Sequence, residues 1–349
     1  MKVDLNKWYR CKIDDQVYKE LLKRSDWQGT KHIFIFFTSL FICGGMAYYT
    51  WGSWWAVFWF FLYGTIYSCA NPIWHETGHK TAFKSKLLNE IFYQIGSFMT
   101  SFEPTRWRWS HFRHHGHTLF TDPLDFEAQV QKPTDLLFIL CHVIPFGLLF
   151  YLHRSAQFES LKHALGITTP VMEECIPARE RSKCRWISRI HVTIWLGSII
   201  LSLYLKSWLP VLFILLPNFY GKTLFEIFGI IQHAGLLNNS KDHRLSTRDV
   251  YLNPIFSFLY WHMEYHIEHH MYPMIPSYNL KKLHALIKDQ LPPVKKNLWE
   301  AYKEIIPAIV KQAKNPNYKI NYIEETKPLG TAGSLCLLNN INENPFFVT

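Results

Sequence analysis

Charge disappears from two consecutive stretches near the start of the chain, 32–51 (HIFIFFTSLFICGGMAYYTW) and 54–73 (WWAVFWFFLYGTIYSCANPI). At about 1.5 Å per residue, each is long enough to cross a hydrocarbon core of about 30 Å. The short gap between them predicts a tight helical hairpin. A second pair is expected at 187–205 (ISRIHVTIWLGSIILSLYL) and 208–231 (WLPVLFILLPNFYGKTLFEIFGII). The last of these carries Pro210, Pro217, Lys222 and Glu226. Proline is tolerated in membrane helices, and Lys222 and Glu226, one turn apart, can pair. A fifth apolar stretch, 136–152 with Pro145 in its middle, is expected to lie in the interface. Were it to cross, residues 153–189, with seven Lys or Arg, would sit outside. The pattern therefore predicts an all-α integral membrane protein of four transmembrane helices in two hairpins, plus an interfacial helix and a cytoplasmic helical cap. Residues 1–31 read as a cytoplasmic amphipathic segment, 32–315 as the membrane domain, and 316–349, which lack periodicity, as a disordered tail.

Charge placement sharpens this topology. A net charge of +10 would suit nucleic acid, but eight Lys or Arg fall within residues 1–31, while the turns at 50–54 and 205–208 hold only Lys206. Positive residues collect on the cytoplasmic side, which puts both termini and the central region there and leaves no reason to expect a nucleic-acid partner. The first apolar run starts at residue 32, too far in for a cleavable signal peptide. Seven scattered cysteines with no CxxC support neither a disulfide framework nor a cysteine metal site.

The candidate chemistry lies in the histidines. Eighteen are present, and three clusters stand out: His75 and His79 in HETGH, His111, His114 and His115 in RWSHFRHH, and His266, His269 and His270 in YHIEHH. Positions i, i+3 and i+4 share one helical face, so each cluster presents an edge of several imidazoles. HETGH also fits the HExxH pattern of zinc proteases, with Glu76 as general base. Helix length argues for a larger assembly. Trp54 to His75 is about 32 Å of helix and Trp208 to His233 about 37 Å, so both would deliver a histidine just past the cytoplasmic edge of the bilayer. His233 thus joins the eight box histidines as a ninth candidate ligand. One zinc takes three or four protein ligands; nine imidazoles suit two metals, and imidazole alone leaves zinc, copper, iron and nickel open. Asp122, Asp125 and Asp242 are candidates to orient the imidazoles, with His117 and His262 as neighbouring or substitute ligands. Glu76 then becomes a supporting or helix-surface residue. A non-catalytic metal transporter remains a third reading, although the clusters lie beyond the helix ends and not at the midplane expected of a transport site.

The three boxes, HxxxH, HxxHH and HxxHH in that order with two apolar hairpins, resemble the membrane fatty acid desaturase and hydroxylase superfamily. HETGHKTAF, LNEIFYQIGSFMT, QHAGL, DHRLSTR and YWHMEYHIEHHMYPMIP are similar to a bacterial branch that includes the hydrocarbon-oxygenase-like protein of rhizopine catabolism. That branch usually has asparagine where this chain has His262, and a TDT-like stretch in place of Gly116-His117-Thr118. The resemblance implies two non-haem irons (Fe2+/Fe3+), O2 as cosubstrate, and desaturation or hydroxylation of an unactivated C–H position. The substrate would be a fatty acyl or lipid-like molecule, or alternatively a small polar metabolite. No flavin, nicotinamide or haem segment is visible, so electrons are expected from an external ferredoxin or Rieske-type carrier with its reductase.

Overall fold

Ser25 opens the first long helix, Asp26–Tyr49, by accepting from the Gln28 backbone N–H. Asp26 in the first turn complements the helix dipole. The structure, a computed structural model, describes residues 8–127, 130–131 and 133–314. Among these residues the regular structure is helical, with only isolated bridges at Thr121–Leu124 and Val250–Lys295. The tail expected at 316–349 and the first seven residues lie outside the described residues.

Two helices, Asp26–Tyr49 and Ala178–Leu205, are long and apolar enough to cross a membrane. The other two expected spans are interrupted. The stretch 54–73 forms a helix Trp54–Ser68, bends at Cys69 and Ala70, and restarts as Asn71–Gly78. Pro72 has no N–H to give to the preceding turn, so the helix breaks just before the first histidine box. The stretch 208–231 is divided into Leu209–Ile214, Pro217–Tyr220 and Thr223–His233, with Pro210 and Pro217 each in a first turn. The expected interfacial stretch 136–152 is likewise two pieces, a helix Thr134–Val143 and a tighter 3-10 segment Gly147–Arg154, joined through Phe146 in a left-handed conformation. The helix expected to start at 187 begins nine residues earlier, at Ala178.

Close backbone contact holds the broken helices together. A Cβ on Gly221 would come within 2.0 Å of the Gly64 carbonyl carbon, so only glycine allows the Trp54–Ser68 helix to meet the Pro217–Tyr220 turn. Gly96, on the helix Lys86–Thr100, does the same beneath the first box: a Cβ there would lie 2.8 Å from the Trp74 nitrogen. Buried Trp74, Tyr93 and Phe102 pack between the first two boxes, with Trp107 stacked on Phe102 at 3.6 Å. Aromatic side chains stay exposed at both turns: Tyr49, Trp54 and Trp55 at the first, Tyr204 and Trp208 at the second.

Candidate metal centre

Four helix ends converge. The first box lies on Asn71–Gly78 with His79 as its C-cap, the second on Pro104–Gly116, and the third on the six-residue helix His266–Met271. His233 is the last residue of Thr223–His233. Glu103 starts the second-box helix by accepting from the Thr105 and Arg106 N–H groups, with Pro104 in the first turn.

The nine imidazoles sort into two groups: His75, His79, His111, His115 and His269, and His114, His233, His266 and His270. The split follows helical periodicity. In the second box the i, i+4 pair His111 and His115 faces the five-membered group and His114 turns to the other. The third box does the reverse: His266 and His270 enter the four-membered group, and His269 crosses to the five. In the first group, Nε2 of His79, His111 and His115 form a triangle with sides of 2.9, 3.1 and 3.1 Å, and His269 Nε2 lies 3.2 Å from that of His115. In the second, His266 Nε2 lies 3.1 Å from His233 Nε2 and 3.2 Å from His270 Nε2. A triangle of three facing ring nitrogens is a poor hydrogen-bond arrangement. Ligands at right angles around one ion, with metal–nitrogen distances of about 2.1 Å, would sit about 3 Å apart. The donor set therefore fits two metal ions, and an all-imidazole set suits iron, copper, zinc or nickel.

The opposite ring nitrogens are held from outside. His111 Nδ1 donates to Glu127 Oε2 and His114 Nδ1 to Asp125 Oδ2, both at 2.8 Å. His233 Nδ1 donates to the Ser246 carbonyl at 2.9 Å. His270 Nδ1 meets the Thr118 hydroxyl at 3.1 Å, and His266 Nδ1 the Gln232 amide at 3.3 Å. The contacts of His111, His114, His233 and His270 fix the ring and leave Nε2 with its lone pair facing inward, whereas His266 Nδ1 accepts from the Gln232 amide, a contact that holds the ring without setting that tautomer. Burial, followed by the mutual repulsion of the imidazoles, pushes the basicity of His75, His115, His269 and His270 well below the usual histidine range. These rings are neutral near neutrality, as ligation requires. Burial opposes charge on His114 too, but the Asp125 carboxylate outweighs it and raises the His114 pKa.

The remaining expected site residues sit elsewhere. Glu76, completely buried, aims away from the imidazoles: its Oε2 accepts from the Thr81 hydroxyl at 3.0 Å and from the Ser277 N–H at 3.1 Å. It thereby ties the first box to the start of the helix Ser277–Ile287, and burial pushes its pKa up to about 7. Asp122 is exposed in a turn. Asp242 caps the short helix His243–Ser246 and pairs with Arg244, so it orients no box imidazole. His117 ends the second-box helix with its ring against Phe120, and His262 bonds to Ser257. Glu127 was not anticipated, although it stands two residues after Asp125 in the stretch TDPLDFE, the spacing that lets one loop support two rings. Glu268, inside the third box, turns outward to His284 Nδ1 at 2.5 Å, and the neighbouring Asp249 accepts from the Ile267 N–H at 2.9 Å.

A cavity of about 430 Å³ opens beside both groups. His75, His111, His233 and His266 reach its wall, along with Trp74, Trp107, Phe126, Phe138 and Met263. The fatty acid desaturase family model matches residues 52–302, a span that includes all nine imidazoles. The chain belongs to the fatty acid desaturase family. A curated member, an acyl-lipid (9-3)-desaturase of Physcomitrium patens, is 25% identical over 236 residues, covering 60% of this chain and 43% of that protein. The chain thus spans less than half the length of this curated relative.

Proposed function

We propose that this desaturase-family chain is an O2-dependent membrane oxidoreductase that holds two irons in its nine imidazoles and desaturates or hydroxylates a fatty acyl substrate. The observation that carries this reading is the pair of imidazole groups, each with inward Nε2 atoms about a ligand's spacing apart, beside one aromatic-walled cavity. When bound, two irons would supply the redox chemistry that couples O2 reduction to C–H oxidation. In desaturation the substrate gives two electrons and two protons, an external carrier gives two electrons, solvent gives two protons, and O2 becomes two waters.

The chain's own residues supply placement. Asp125 and Glu127 fix His114 and His111 against rotation, while the cavity's aromatic wall orients an alkyl segment across the imidazole edge. Glu76 is engaged with Thr81 and Ser277, which counts against the zinc-protease reading because a general base must face the metal-bound water. A small polar substrate is a second reading. It is favoured by the ion pairs Arg106–Glu159 and Lys222–Glu226, which also line the cavity.

Aromatic residues exposed at both turns suit a membrane interface, and the Lys/Arg bias of residues 1–31 and 153–189 supports four crossings with the imidazoles and both termini on the cytoplasmic side. A ferredoxin or Rieske-type carrier with its reductase would deliver electrons there. The deciding experiment measures metal in the detergent-purified protein and then O2-dependent products from acyl lipids and small amines, with ferredoxin and reductase present. Two irons per chain, one for each imidazole group, and an alkene or alcohol product support the proposal. A single zinc, or no O2-dependent product, rejects it.

A further inference from the structure

The fully buried four-imidazole group is linked to the protein surface by a continuous run of rings. The Trp8 indole stacks on His243 with centroids 4.1 Å apart and planes 9° apart. The His243 ring in turn lies 5.1 Å from that of His270. His243 is 4% exposed and its Nδ1 has no hydrogen-bond partner, so hydrogen bonding does not account for its position between the two rings. Trp8 is half-buried, so part of it reaches the surface.

The segment carrying Trp8 is held firmly. The Tyr9 N–H donates to the Lys241 carbonyl, and the Tyr272 hydroxyl to the Cys11 carbonyl. Lys12 exchanges two backbone hydrogen bonds with the Gln290 side chain. The Arg244 guanidinium sits 3.4 Å over the Tyr9 ring. These contacts fix the segment against the stretch around His243, against Tyr272 just after the third box, and against Gln290. Electronic coupling decays exponentially with distance, so rings in van der Waals contact conduct an electron far better than the same span of solvent or aliphatic packing.

We infer that Trp8 and His243 form the electron entry route to the four-imidazole group, receiving electrons from a one-electron carrier protein that docks over Trp8. This rests on the di-iron reading above and adds the path by which reducing equivalents arrive. In each transfer the reduced carrier is oxidised by one electron and the metal pair is reduced by one; two transfers per O2 complete the balance given above. The exposed cations next to Trp8, Arg10 and Lys12, would attract an acidic carrier, whereas Asp14 and Asp15 farther along the segment mark the edge of that attraction.

The test uses iron-loaded full-length protein under anaerobic conditions, reduced either by a reduced plant-type ferredoxin or by dithionite, with the absorbance of the metal centre followed by stopped flow. Trp8→Leu should keep the parent's iron content and dithionite end point while slowing ferredoxin-driven reduction by roughly an order of magnitude. Trp8→Phe, which restores a ring, should recover most of the rate. An unchanged ferredoxin rate in Trp8→Leu overturns the route, and so does loss of iron, which would make Trp8 a structural residue. If the unsubstituted protein holds no reducible iron, the di-iron reading fails first and takes the route with it.

Discussion

The two imidazole groups differ more in surroundings than in ligands. In the five-membered group His79, His111 and His115 are only part-buried, whereas all four members of the other are buried. The first box gives its two histidines only to the open group. The closed group instead draws His233 from the end of a proline-broken helix that the sequence places in the membrane. Supports differ in the same way. A side-chain carboxylate backs one ring in each group, but in the closed group His233 is also fixed by a backbone carbonyl and His270 by a threonine hydroxyl. In the open group, His115 and His269 have Nδ1 atoms buried without a partner. The closed site is preorganised on more sides, and the open one keeps room for exchange with the cavity or solvent.

Removing a ligand should erase the comparison outright. His115→Ala in the open group and His270→Ala in the closed one are each expected to abolish product formation, because the proposed chemistry would need both imidazole groups to hold their metal. Iron content should fall in both, measured by elemental analysis of purified protein. The control is His163→Ala. His163 is fully buried but bonds to Thr169 and lies against Cys184, far from either group in contacts. That variant should lose about 1–3 kcal/mol of stability, seen as a lower Tm, while keeping its iron.

Smaller changes should separate the groups. Asp125→Asn weakens the hold on His114, and Glu127→Gln that on His111, so each is expected to reduce metal affinity about 10- to 100-fold in its own group only. Metal titration of the apoprotein would show one weakened and one normal site in each variant. Loss of both sites in either variant would mean that the groups bind as one cooperative unit. Chelation offers a milder probe of the unsubstituted protein. Treatment with a chelator should remove iron in two phases, the part-buried group first, and single-phase loss would remove the distinction between open and closed sites.

Much of this centre was legible in the sequence because HxxHH on a helix can send an i, i+4 pair one way and the i+3 residue another. That one spacing, used in opposite senses by the second and third boxes, explains how two clusters of three build groups of five and four with His75, His79 and His233. The helix breaks were harder to read. Pro72 and Pro217 are visible as residues, but whether a proline kinks or ends a membrane helix depends on neighbours such as Gly64 and Gly221, which meet only in the fold. The supports were harder still: Glu127 comes from a loop and Ser246 from the end of the short helix His243–Ser246, approaches that no periodicity encodes, and Asp242, equally plausible as a residue type, is occupied with its own helix cap and Arg244.

The smallest expected effect falls on HETGH, the stretch most suggestive of a protease. Glu76 stands between two candidate ligands, yet its carboxylate serves Thr81 and the first N–H of the Ser277–Ile287 helix. Glutamine keeps an oxygen able to accept both hydrogen bonds, and its amide group would take the place of Oε1, which already lacks a partner. Glu76→Gln should therefore retain both metals and most activity, with a stability change of no more than about 1–2 kcal/mol. Glu76→Ala, which leaves Thr81 and the helix end unsatisfied, should lower Tm further without selectively emptying either metal group. If Glu76→Gln instead destroyed turnover at full metal content, the glutamate would have to act on the reacting atoms. The open group would then be the place to look for it, because His75 and His79 both belong to that group.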